Sequence, residues 1–169
     1  MSDKHLSSQF DADLNLVSSK VLEMGGLVES QIVKAMEALN NFDLDIAEQV
    51  IAAEERLNKM EVDIDEECSN IIARRQPAAR DLRLLIAISK TITNLERAGD
   101  EAEKIAKRTK RLMEDGASRT INIAEIKLSG EMAVTILRRA LDAFARLDTV
   151  AAAQIVRDDK AIDEEFRAF

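Results

Sequence analysis

The stretch Leu95-Glu-Arg-Ala-Gly-Asp-Glu-Ala-Glu103 concentrates the groups best placed to do chemistry. At a helical period Glu96, Asp100 and Glu103 share one stripe, at spacings of four and three. The stripe lies one residue over from the apolar seam Leu95, Gly99, Ala102, Ala106, which turns it toward a neighbouring helix. Like charges at this spacing cost an isolated helix roughly 0.2–0.5 kcal/mol. A cation, a basic partner or plain solvation has to offset that repulsion.

The preceding helix supplies further oxygen atoms. It ends at Pro77, and a turn this tight makes the helices on either side of it antiparallel. Glu54 and Asn58 then come level with Asp100 and Glu96, each displaced one residue from the seam positions Ala53 and Leu57. Four oxygen-bearing side chains at one level suit Mg²⁺ or Ca²⁺, or iron or manganese bound through carboxylates. The same acids also read as a solvated face, paired with Arg56, Arg97 and Lys104 in surface ion pairs of little worth. Asn58 is a weaker ligand than a carboxylate, which counts against the metal.

Arg74, Arg75, Arg80 and Arg83 cluster around the same turn, with Asp81 among them. Arg74 and Arg75 complement the negative end of their helix. Together the guanidinium forks suit the carboxylates of an acidic protein surface, so the turn reads as a docking patch. Lys104, Lys107, Arg108, Lys110 and Arg111 read as a solvated basic face.

Composition narrows the functions available. The 169 residues include one His, one Cys, one Pro and five Gly, with no Trp or Tyr. A lone His5 in a frayed tail cannot build a His-rich zinc site or a Ser-His-Asp triad. No Gly-rich phosphate loop is present, and no catalytic residue is assigned. The net charge of −8 argues against a binder that relies on a nucleic-acid phosphate field. Neither a signal core nor an 18-residue apolar run is found, so a cytoplasmic chain without membrane insertion is expected. Cys68, on an apolar seam, reads as a small core residue of a reducing compartment.

The elements that must position these groups are all helical, giving an all-α antiparallel bundle. Phe10, Leu14, Val17, Val21, Met24 and Val28 step by 4,3,4,3,4, and Ile32, Ala35, Leu39 and Phe42 extend the face. That helix spans roughly 50 Å and is interrupted by Gly25-Gly26, a kink or a tolerated pair. Asp43 caps a second helix running to about Gln76, and a third runs from near Ala79 to about Met113. A fourth spans about Asn122 to Leu147, and Asp148 opens a fifth. Residues 1–115 make a first three-helix bundle, and 116–169 supply two helices of a second.

The chain also repeats itself. At an offset of 105 residues Ala35, Ala38, Asp43, Ala47 and Gln49 coincide with Ala140, Ala143, Asp148, Ala152 and Gln154. Apolar positions Leu39, Phe42, Val50, Ile51 and Leu57 fall on Phe144, Leu147, Ile155, Val156 and Ile162. Helices four and five therefore copy helices one and two, and a copy of helix three would begin near position ~184, beyond Phe169. An uncovered apolar seam favours self-association, with the two-helix units of two chains forming a four-helix bundle.

Ile72-Ala-Arg-Arg-Gln-Pro-Ala-Ala-Arg-Asp-Leu-Arg83, Ile88-Ser-Lys-Thr-Ile92 and Leu95-Glu-Arg-Ala-Gly-Asp100 closely resemble the PhoU family, accessory regulators of phosphate-specific transport. The match covers essentially the whole chain, down to Leu141-Asp-Ala-Phe-Ala-Arg-Leu-Asp148 and the acidic pair Asp159 and Asp163. The resemblance implies tandem three-helix bundles with acidic-x-x-x-Asp motifs on the second and third helices, linked to metal clusters, often of iron or zinc. Carried over by position, these are Glu54…Asn58 and Glu96…Asp100, then Asp159…Asp163 in the second bundle. Magnesium remains a further candidate. The resemblance also implies a non-enzymatic adaptor that represses the phosphate-starvation response between a phosphate ABC transporter ATPase and a sensor histidine kinase. The alternatives are a carboxylate-metal phosphohydrolase using cation-activated water, or a purely structural helical bundle.

Overall fold

A computed structural model describes residues 2–116 and 123–167, with side chains left aside at 2–7, 161, 162 and 164–167. The described residues form α1 (Ser2–Asn41), α2 (Leu44–Arg75), α3 (Ala79–Glu114), α4 (Ala124–Arg146) and α5 (Thr149–Arg167). They divide into two compact units, Met1–Arg119 and Thr120–Phe169. Asn122, expected to open the fourth helix, lies outside the described residues.

In the first unit α1, α2 and α3 all pack on one another. The core follows a steady 4,3 alternation on α1 through Val17, Val21, Met24, Val28, Gln31, Ala35 and Ala38. At one position this departs from the expected seam. Gln31 is 2% exposed and takes the place in the stripe expected for Ile32, which packs at its edge. Unbroken heptad spacing from Val28 reaches 31, not 32, so geometry overrides the greater hydrophobicity of isoleucine. α1 also begins at Ser2, earlier than the apolar pattern from Phe10 indicates, because nothing in the polar stretch before Phe10 breaks a helix. It runs on through Gly25-Gly26, and a Cβ at Gly26 would touch nothing within 4 Å. That glycine is tolerated rather than required.

The interior is graded along its length. Leu57, Ile64, Ile71, Leu85, Ile88 and Ile92 fill the part toward the Pro77 turn, and Cys68 lies buried among them. Burial pushes its thiol up to about 11, with Asp65 and Glu67 adding to the shift. Toward the α1–α2 corner the core narrows to Ala35, Ala38, Ala47, Val50, Ala102 and Ala106, and the helices there are held together through small side chains. Pairs between helices fix the register: Lys20–Glu67 at 3.0 Å and Arg75–Asp13 at 2.9 Å tie α1 to α2. Ser89 donates to Asp65 at 2.6 Å, Thr93 to Glu61 at 2.9 Å, and Lys110 reaches Glu48 at 3.0 Å. Partner numbers rise on one helix as they fall on the other, as an antiparallel pair requires.

The corners are compact. Phe42 takes a left-handed conformation, φ 52°, and Asp43 caps α2 by accepting the Ile46 amide at 3.0 Å. At the other end Gln76 is left-handed and donates its amide to the Ile72 carbonyl at 3.0 Å before Pro77 ends the helix.

The second unit repeats the first corner. Leu147 has φ 51°, and Asp148 caps α5 by accepting the Ala151 amide at 2.9 Å. Among its described side chains only Val134, Ala143 and Ile155 are buried. An apolar groove of about 370 Å³ opens between α4 and α5, lined chiefly by Ala140, Ala143, Phe144, Leu147, Ala152 and Ile155.

Candidate functional site

The acidic stripe of α3 lies against α2 in the first unit. Glu54 projects toward Gly99: a Cβ built there would stand 3.6 Å from Glu54 Oε2. Gly99 itself is required by the approach of α2, because that Cβ would also lie 2.0 Å from Leu57 Cδ2. The glycine lets the helices close until the α2 carboxylate meets the α3 stripe.

The acids of the stripe act on the Glu54 carboxyl. Burial raises the Glu54 carboxyl above its ordinary value, and Glu103, Glu96 and Asp100 raise it further, against a lowering from Lys107. Burial likewise raises Glu96, helped by Glu61 and Asp100. Two of the acids have their own counter-ions: Lys104 bonds Asp100 at 2.8 Å, and Lys107 bonds Glu103 at 2.7 Å. Contacts with Asp100 and then Glu101 push the Lys104 ammonium above its usual range.

The structure thus places Glu54, Glu96 and Asp100 in one neighbourhood, whereas the side chain of Asn58 is exposed. Asp159 and Asp163 are exposed on α5. At the Pro77 turn Arg74, Arg80 and Arg83 face solvent and Asp81 is half-buried. Arg75 is committed elsewhere, donating from Nε and Nη2 to Asp13 Oδ2 of α1 at 3.1 and 2.9 Å.

Three residues emerge that the sequence pattern left unmarked. Glu61 and Asp65 repeat the acidic-x-x-x-Asp spacing on α2 without an asparagine, and Thr93 and Ser89 of α3 hold them. That spacing was a usable signal. The third is Gln31, whose signal is a carboxamide on an otherwise apolar seam. Neither its Oε1 nor its Nε2 has a hydrogen-bond partner, and Glu54 Oε2 is likewise buried without one.

These observations bear on whether the residues suit a metal. Among the described residues no three His, Cys, Asp or Glu side chains stand together as a ligand set. A closed carboxylate cage is therefore not preformed. An unpartnered carboxylate oxygen beside an unpartnered carboxamide does fit a cation that takes oxygen donors.

Comparison with known proteins places this architecture. The family model described as PhoU domain matches residues 21–109. The chain is 59% identical to a phosphate-specific transport system accessory protein PhoU homolog of Burkholderia sp, over all of this chain and 72% of the relative. The chain belongs to the PhoU family. It is also 43% identical to the phosphate-specific transport system accessory protein PhoU of Escherichia coli (strain K12), over 97% of this chain and 67% of the relative. The crystal structure of PhoU from Pseudomonas aeruginosa superposes with a TM-score of 0.88 at 46% identity, covering 94% of this chain and 76% of that one. The chain spans 63–72% of the lengths of its first two PhoU relatives. No described helix is long and apolar enough to cross a membrane.

Proposed function

We propose that this chain is a regulatory accessory of phosphate uptake, a non-enzymatic cytoplasmic adaptor rather than a catalyst. In this reading it restrains the phosphate-starvation response by docking to the ATPase subunit of a phosphate ABC transporter and to a sensor histidine kinase. The observation that carries it is the similarity to phosphate-specific transport accessory proteins, which extends over 97–100% of this chain. Exposed Arg74, Arg80 and Arg83 offer guanidinium forks to an acidic partner surface, with Arg75 fixed against α1 behind them. Charge reversal, Arg80→Glu with Arg83→Glu, should weaken binding to the purified ATPase or to the kinase by tenfold or more, with helical content unchanged. Unaltered affinity for both partners would refute the docking role of the turn.

The same reading has the acidic groove take up a cation, iron, zinc or magnesium, held by Glu54, Glu96 and Asp100. Bound there, the cation supplies positive charge that removes the repulsion among these carboxylates and fixes α2 against α3. Asp159 and Asp163 on α5 belong to the corresponding motif of the second unit. Glu96→Gln with Asp100→Asn should abolish uptake, measured by elemental analysis of metal-replete protein. Self-association through the apolar α4–α5 groove completes the proposal, and light scattering that gives a monomer at high concentration would remove it.

A further inference from the structure

Gln31 is the feature of the first unit that packing leaves unexplained. It lies on the α1 seam between Val28 and Ala35, 2% exposed. Both polar atoms of its carboxamide lack a partner. A buried amide retained only to set helix register would be expected to find a hydrogen bond across the bundle. What Gln31 meets instead is Glu54. Its Oε1 lies 3.0 Å, and Glu54 Oε2 3.6 Å, from the position that a Gly99 Cβ would take. Two oxygen acceptors from different helices thus converge beside Gly99, where the Leu57 methyl fills the space a Cβ would take. Those two oxygens cannot satisfy each other, and the nearby Glu96, Asp100 and Glu103 make the surroundings more negative still. Lys107 lowers the Glu54 carboxyl only as the least of its influences, and its ammonium is bonded to Glu103. A species that accepts electron pairs from both oxygens is what this unpartnered pair calls for. Carboxylate and carboxamide oxygens together suit hard cations of the Mg²⁺ or Mn²⁺ class.

We infer that Gln31 is an oxygen ligand of the cation, reaching from α1 toward the Glu54 carboxylate beside Gly99. This inference rests on the cation reading of the acidic groove and deepens it: the site becomes one built by three helices, with a neutral oxygen on its inner side. Cation binding would then join α1 to the α2–α3 pair, a link that ligands on α2 and α3 alone cannot make.

The test is calorimetric titration of the metal-stripped protein with Mn²⁺ and with Mg²⁺, alongside thermal unfolding of the metal-free forms. Gln31→Met keeps the side-chain length and removes the oxygen. It should weaken Mn²⁺ binding at least tenfold, while the metal-free protein unfolds at the same temperature or higher because an unpartnered amide is gone. Gln31→Glu places a carboxylate at the same position and should tighten Mn²⁺ binding at least tenfold. If the parent protein binds Mn²⁺ and Gln31→Met binds it equally well, the role of Gln31 is overturned and the groove reading stands. Weaker binding by Gln31→Glu would also overturn the ligand role, since it would show the amide donating to Glu54 instead. If the parent binds neither ion while Glu96→Gln with Asp100→Asn changes nothing, both readings fall together.

Discussion

The α1–α2 and α4–α5 corners share their hydrogen bonds and differ in what covers them. Each has a bulky residue in the left-handed region, Phe42 or Leu147. Each follows it with an aspartate whose amide donates to a carbonyl on the helix before, Ala38 at 3.0 Å or Ala143 at 2.9 Å. Around the first corner Ala35, Ala38 and Ala47 are fully buried, in a cluster that includes Ala102 and Ala106 of α3. Of their counterparts Ala143 stays buried but Ala140 and Ala152 are exposed, and Leu147 is 60% exposed. The conformation of a helical corner is therefore set within about ten residues, whereas its burial depends on a helix contributed from farther along a chain.

The contrast is easiest to break through the core. Leu39→Ala should destabilise the first unit by about 2–5 kcal/mol, because a cavity is left where α1 is sealed. Phe144→Ala, at the equivalent place, should cost well under about 2 kcal/mol, since its groove already opens to water. Equal losses in urea melts would show that the second hairpin is covered in solution. Gly99→Ala should cost about 1–3 kcal/mol through its collision with Leu57, while Gly26→Ala should add about 0.4–1 kcal/mol of stability. The caps sharpen the other half of the comparison. Asp43→Ala and Asp148→Ala should each cost about 1 kcal/mol, alike in both units because the bond is local.

The smallest effect is one of pH. The bond from Arg75, and then that from Gln9, hold the Asp13 carboxyl below its ordinary 3.8. A lowered carboxyl stabilises the fold above its unfolded pKa, and that share is lost as pH falls through the folded value. The advantage of the parent over Asp13→Asn should stay level from neutral pH down to about 5 and then fade below 3.8. A difference that grew toward acid would reverse the assigned direction.

Local physics made much of this legible. Seam spacing, Pro77 and the two capping aspartates gave the helices, and the tight turn put Glu54 beside the stripe containing Asp100. What stayed hidden depends on contacts between residues far apart in the chain. Arg75 reads as a surface cation until α1 brings Asp13 to it, 62 residues away. Asn58 shares its face with Glu54 in the pattern yet remains exposed, because the helices close tightly only beside Gly99. Gln31 was obscured by its neighbour: Ile32 is the stronger hydrophobe, and only an unbroken heptad count selects the amide.

The two-residue links at Phe42-Asp43 and Leu147-Asp148 leave no slack. One inserted residue would advance the following helix by about 100° and 1.5 Å. In the first unit that would swing Val50, Leu57 and Ile64 away from α3 together and carry Glu54 out of reach of Gly99. Length variation in this chain is consequently barred at its shortest connections, and changes there must proceed by substitution alone.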